Sequence, residues 1–315
     1  MLQRLWKRLK VARKIPLGPA SLVIRFERAV SIKKVRTVPA FAAPFAAFAA
    51  PSPPHLKPSC DAVANEHPVR RMRATAATDE STTQDLALIV GAGPGLGVAL
   101  ARQLAADGSK LALASRNANR LELLASQLRT LGASVDSYGC DATNELSVDA
   151  LFQQLVQQQG VPSLVVYALQ EFVPGRTVDI EVPAFESSWR HNCFGAFLVA
   201  RAAARAMSDA GRGTIVLVGS TSSLIGREDH LNLAVGKFGQ RALAQVLARE
   251  MWSKGVHVAH LMIDADIREA SVEDYPQSEP SDIAAAILFL HRQPRSAWTS
   301  ELDIRPWNER FWEHC

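Results

Sequence analysis

The stretch that most constrains this chain is residues 86–108, LALIVGAGPGLGVALARQLAADG. Five consecutive apolar residues read as a short strand buried on both faces. The turn that follows carries glycines at 91, 95 and 97 in the pattern G-x-x-x-G-x-G, with Gly93 between them, and runs into a helix that ends at Gly108. A strand feeding a helix through such a turn aims backbone N–H groups at a pyrophosphate, where the helix dipole favours anions. A second strand, KLALAS, ends at Ser115, next to Arg116. Sites built for an unphosphorylated ribose usually have an acid there; a hydroxyl and a guanidinium suit a 2′-phosphate, so NADP(H) is expected over NAD(H). Helix RLELLASQLRTLG, strand SVDSYGCD, helix LSVDALFQQLVQQQG and strand SLVVYAL continue the alternation. The expected fold is α/β, a Rossmann-like doubly wound parallel sheet of about seven strands in a single domain. Asp141, after the third strand, caps either the adenine pocket or a turn.

Charge separates the ends of the chain. Residues 1–80 hold fifteen Lys/Arg against five acids, and residues 81–315 hold twenty against twenty-six. The basic balance therefore belongs to the N-terminal arm, and nucleic acid is not an expected partner of the body. In MLQRLWKRLKVARK, Leu2, Leu5, Trp6 and Leu9 recur at helical spacing among basic residues, and the Ala/Phe/Pro-rich AFAAPFAAFAAPSPPHLKP is too poor in pattern to form a core. Residues 1–80 thus read as an organelle-targeting basic arm, mitochondrial first, with plastid or cytoplasm as alternatives. No unbroken apolar run approaches the roughly 18 residues a spanning helix needs, so no stable membrane insertion is expected. Cys60, Cys140, Cys193 and Cys315 are far apart and lack a C-x-x-C pair, which argues for free thiols and against a metal site. His257 and His260 share a strand, GVHVAHLMI, whose period of two sends them to opposite faces.

The second half carries Asn192 in WRHNCFGAFLVARAA, Ser220 in GTIVLVGSTSSLIG and Lys237 in LNLAVGKFGQRALA. With GAGPGLG, these segments resemble the short-chain dehydrogenase/reductase family over residues 86–305. In that family a Ser is followed thirteen residues later by a Tyr and four further on by a Lys. Ser220, position 233 and Lys237 keep those intervals, but position 233 is Leu. Two further departures are VVYAL at 165–169 in place of Asn-Asn-Ala-Gly, and MIDADI at 262–267 in place of Pro-Gly.

The resemblance implies an NADP(H)-dependent oxidoreductase acting on a small-molecule carbonyl or related acceptor. Ser220 would polarise the reacting oxygen, Lys237 would hold the nicotinamide ribose, and Asn192 would carry a water-linked proton relay. With the usual Tyr lost, Tyr167 at the end of strand four is the first candidate for a substitute acid, followed by His191 and His230. The expected cofactor contacts are Gly91, Gly93, Gly95, Leu96, Gly97, Ser115, Arg116, Asp141, Ala168 and Lys237. The alternative reading is a catalytically inactive NADP(H)-binding scaffold or redox sensor. Helices 196–207 and 242–251 are apolar over more than one face, and family members pair the corresponding helices, so a homodimer or homotetramer is expected. Substrate choice is expected to depend on the loop 267–281 and on the aromatic C-terminal tail 306–315.

Overall fold

The computed structural model describes residues 84–267 and 276–310. The targeting reading of the arm, Cys60 and Cys315, and most of the loop 267–281 lie outside those residues. Strand β1 (Leu86–Val90) is buried throughout, as its unbroken apolar run requires when both faces of a sheet are covered. Helix α1 (Leu96–Ala106), strand β2 (Lys110–Ser115), helix α2 (Ala118–Thr130), strand β3 (Val135–Gly139), helix α3 (Glu145–Gln159) and strand β4 (Leu164–Tyr167) complete the first half. The chain then forms helix α4 (Val182–Trp189), a π turn (Arg190–Phe194) and helix α5 (Gly195–Ala210), followed by strand β5 (Gly213–Val218). Helix α6 (Leu231–Met251), strand β6 (Val256–Ile263), a small pair β7 (Asp266–Ile267) and β8 (Gln277–Ser278), helix α7 (Pro280–His291) and strand β9 (Glu301–Ile304) follow. The two apolar segments expected around 231–244 and 242–251 are one continuous helix.

Seven strands form one parallel sheet in the order β3-β2-β1-β4-β5-β6-β9. Residues 86, 88 and 90 of β1 pack toward α3 and α5. Residues 87 and 89 pack toward α1, α2 and α7. The alternation of side chains along a strand thus divides the interior into two apolar layers, one on each face of the sheet. β3, at the edge, is buried only at Val135 and Tyr138, one on each face of the sheet. His257 and His260 do face opposite layers: His257 Nε2 lies 2.8 Å from the Thr299 carbonyl oxygen, and His260 sits beside Ser223. Among the described residues no helix is long and apolar enough to cross a membrane.

The topology dictates where a ligand can sit. The chain builds outward from β1 to β3, then returns to place β4 on the other side of β1. The carboxyl ends of β1 and β4 therefore diverge into connections that leave in opposite directions, opening a crevice between them. The register pairs Val90 with Tyr167, so Gly91 and Ala168 leave the sheet side by side.

Candidate active site and cofactor groove

At the first rim of the crevice, α1 begins at Gly95 without a side-chain cap. By contrast, Asn117 caps α2 by accepting from the Arg120 N–H, and Asn144 caps α3 by accepting from the Ser147 N–H. The Leu96 and Gly97 N–H groups are thus left for a ligand, while that of Val98 donates to the Gly93 carbonyl at 3.2 Å. Gly95 has φ of 86°, and a Cβ there would meet no atom within 4 Å, so the backbone presents an open cradle. Gly97 is required by packing: a Cβ would lie 2.7 Å from the Ala92 Cα. This is the donor set and clearance that a pyrophosphate needs.

The residues assigned from sequence to the cofactor line two clefts that meet at Gly91, Gly93 and Leu169. One, of about 210 Å³, is bounded by Ser115, Arg116, Asn117, Arg120, Asp141 and His191. The other, of about 420 Å³, runs past Gly95, Leu96, Gly97, Ala168, Ser220 and Lys237 to Ile267. Asp141 stands both at a turn and at a cleft wall. Its Oδ1 accepts from the Thr143 N–H and hydroxyl, and the residue also walls the first cleft. Burial works to raise its pKa, but the two Thr143 bonds, with Arg116 and His191 nearby, hold it below the usual carboxylate value.

Lys237 stands at the meeting point of α6, β4 and β5. Only 1% of it is exposed. Its Nζ donates to the Val218 carbonyl at 2.8 Å and to the Leu169 carbonyl at 3.5 Å. Loss of hydration in this setting pulls its pKa down from 10.5 to about 7. Ser220 follows β5 and lines both the cofactor cleft and a third cleft of about 370 Å³. Its hydroxyl oxygen is buried without a hydrogen-bond partner, although its backbone N–H reaches Ser223 Oγ at 3.3 Å. A buried hydroxyl in that state costs free energy unless a ligand completes it. Leu233 and His230 share the third cleft with Ser220, Arg227, Asp264 and Glu309.

One expected role is corrected by the geometry. Tyr167 is fully buried within the apolar layer under α5, and its hydroxyl donates to the His191 carbonyl. Burial pushes its pKa up, and no face of it reaches a cleft, so it is not a substitute acid. Period two explains the error: at the end of β4 the neighbour Ala168, and not Tyr167, turns toward the crevice. Asn192 is buried in the π turn, where its amide donates to the Glu171 carbonyl at 2.7 Å and the Ser188 carbonyl at 2.9 Å. Its Oδ1 accepts from the Glu171 N–H. Both amide hydrogens are used in tying the loop after β4 to the helix. His191 walls the first cleft, with Nδ1 2.6 Å from Glu171 Oε2, and lines neither of the clefts that Ser220 lines.

Sequence reasoning missed the polar structure behind the site. Thr221 donates to Asp264, and Arg305 bridges Asp264 and Asp303. Behind Lys237, His260 is buried on β6, its pKa driven down to about 4 by burial and then by the Lys237 charge. A Cβ on Gly219 would fall on the His260 ring, so the glycine before Ser220 and the histidine on the next strand occupy one another's space. A histidine in an otherwise apolar buried strand was the available signal, but only pairing of β5 with β6 identifies its neighbour. In the C-terminal tail, Trp307 is 92% exposed and Glu309 reaches the third cleft; residues 311–315 lie outside the described residues.

Comparison with known proteins gives the same picture. The chain is 31% identical to a short-chain dehydrogenase from Rhodopseudomonas palustris, with a TM-score of 0.65 over 71% of this chain and 99% of that one. An uncharacterized oxidoreductase of Staphylococcus aureus strain USA300 is 29% identical over 228 residues, 71% of this chain and 98% of the relative. An alcohol dehydrogenase from Thermococcus sibiricus, solved with 5-hydroxy-NADP, shares the fold at a TM-score of 0.67 and 24% identity, covering 72% of this chain and 98% of that one. The short chain dehydrogenase family model matches residues 85–274, a span that includes the glycine turn, Ser220 and Lys237. The family model and the seven-stranded parallel fold agree, and the chain belongs to the short-chain dehydrogenase family.

Proposed function

We propose that this chain is an NADP(H)-dependent oxidoreductase that reduces a small carbonyl compound or a related acceptor at Ser220, with Leu233 where relatives carry their tyrosine acid. The observation that carries the reading is the continuity of the groove from Ser115 and Arg116, along the uncapped start of α1, to Ser220 and Lys237. Bound there, the nicotinamide would supply or accept a hydride. The chain's own residues do the remaining work. The α1 N–H groups and Gly95 take the pyrophosphate, Arg116 takes the 2′-phosphate as a bidentate donor, and Lys237 is held by two carbonyls within reach of a ribose. Ser220, with no partner of its own, donates to the oxygen of the acceptor.

A purely structural, cofactor-holding role is the competing reading, favoured by the leucine at position 233. Loss of a general acid costs ~10²–10⁴ in rate, whereas positioning is worth at least as much and is unaffected by it. The test is a fluorescence titration of the purified chain with NADPH and, in parallel, NADH. Expected is NADPH binding tenfold or more tighter than NADH, with Arg116→Ala removing most of the difference, a loss of roughly 1–3 kcal/mol for one charge-assisted contact. Equal affinities would overturn the cofactor preference, and no binding of either would overturn the enzymatic and the cofactor-holding readings together.

The outer faces of α5 and α6 support a homodimer or homotetramer as the working form. Phe197, Leu243, Val246 and Leu247 line a groove of about 640 Å³ there, with Val246 53% exposed. Import into an organelle, the mitochondrion first, is proposed from the basic arm alone.

A further inference from the structure

At the start of helix α6, His230 as the N-cap and Leu233 in the first turn line the third cleft, and Lys237, one turn further along, lines the adjoining cofactor cleft. Leu233 is 5% exposed and has no proton to give. His230 lines the cleft with Ser220 and Leu233 and is held from three sides. Its Nδ1 lies 2.7 Å from the Glu228 carbonyl oxygen. A carbonyl only accepts, so this contact is made with Nδ1 as the donor, which leaves Nε2 to give or take a proton. The ring stacks on Phe172 at 4.7 Å between centroids, inclined by 28°. The backbone bridges to Gly175, whose N–H donates to the Asp229 carbonyl at 3.0 Å. Asp229 has φ of 60°, the one positive value for a non-glycine among the described residues, and this turn sets the chain direction immediately before His230. Nε2 makes no hydrogen bond among the described residues and is not enclosed.

We infer that His230 is the catalytic acid and base of this enzyme, delivering its proton from Nε2 to the oxygen that Ser220 polarises. The inference rests on the oxidoreductase reading above and supplies the group that Leu233 lacks. The step balances for a carbonyl acceptor. The carbon takes two electrons as the hydride of the reduced nicotinamide, the C=O π pair moves to oxygen, and the oxygen takes the Nε2 proton. The nicotinamide is oxidised, the carbonyl becomes an alcohol, and the half-exposed imidazole regains its proton from water. The imidazole replaces the phenol at the same cleft from the N-cap of the same helix, three residues earlier, which is why the buried leucine is tolerated at 233.

The test is reduction of 4-nitrobenzaldehyde and 2,3-butanedione by NADPH, followed at the cofactor's absorbance in the full chain, with NADPH affinity measured in parallel. His230→Ala should bind NADPH as the wild type does and lose ~10²–10⁴ in kcat. Roughly a tenfold or greater part of that loss should return with added imidazole, and also in the double variant His230→Ala, Leu233→Tyr, which restores an acid from the other position. If the alanine variant does not fold, His230→Gln carries the same comparison over Phe172. A kcat within about threefold of wild type would overturn the role of His230 alone, as would a loss that neither imidazole nor the tyrosine relieves. No reduction by a wild-type chain that binds NADPH would overturn the oxidoreductase reading and the role of His230 with it.

Discussion

Lys237 shows how one residue can be legible in sequence as to place and illegible as to state. Its interval from Ser220 made it an expected cofactor ligand, but its burial and its two carbonyl partners are products of packing between α6 and the ends of β4 and β5. The consequence is a pH dependence whose sign can be worked out. The unfolded chain keeps the ammonium up to about 10.5, whereas the folded chain releases it near 7. Between those values the unfolded state binds more protons, so stability rises with pH; below pH 7 the cost of burying the amine is fully present, on the order of 3–5 kcal/mol. Lys237→Met should therefore raise stability at pH 7 by part of that amount, since the Val218 and Leu169 carbonyls lose their donor, and the gain should shrink toward pH 10. Urea unfolding at several pH values checks this; a gain that does not vary with pH would show that hydration of the amine is not the cause. Tyr167 is the opposite case. Its position at a strand end suggested an exposed acid, and a one-residue difference in which face it takes put it in the core instead.

At the scale of elements, the strands were legible because their signal is local. LALIV, KLALAS and VHVAHLMI are apolar runs of strand length bounded by glycine, serine or charge, and each is a parallel strand covered on both faces. The contact between β5 and β6 was not legible, because it joins Gly219 to His260 across 41 positions. That contact predicts a coupled pair. Gly219→Ala alone should destabilise the fold by about 1–3 kcal/mol through overpacking against the buried ring, and His260→Ala in the same chain should relieve most of it. Additive effects in a double-mutant cycle, measured by chemical unfolding, would mean the ring moves aside freely. The π turn at Arg190–Phe194 was also invisible from sequence. It leaves α4 and α5 as one continuous helical run and turns Asn192 inward to fasten the loop that follows β4.

At the scale of the molecule, the fold makes a groove on one end of the sheet and leaves between the outer faces of α5 and α6 a second groove with an apolar floor and a rim that includes Arg201, Arg205 and Glu250. The proposed assembly makes a prediction there. Val246→Glu, in the middle of the groove lined by Phe197 and Leu243, should convert an oligomer to a monomer in light scattering coupled to size exclusion, with NADPH affinity unchanged. A wild-type chain that is monomeric at tens of micromolar would remove the basis for that assembly. The sequence by itself determined the α/β alternation, the glycine turn and the spacing of Ser220, position 233 and Lys237, because each depends on residues within a few turns or one strand of each other. Only the tertiary structure decided that Tyr167 is core, that Asn192 is a fastening, and that His230 and Ser220 share a cleft. Those outcomes depend on which strand faces meet and how distant segments exclude water from one another, and neither is encoded in any local run of residues.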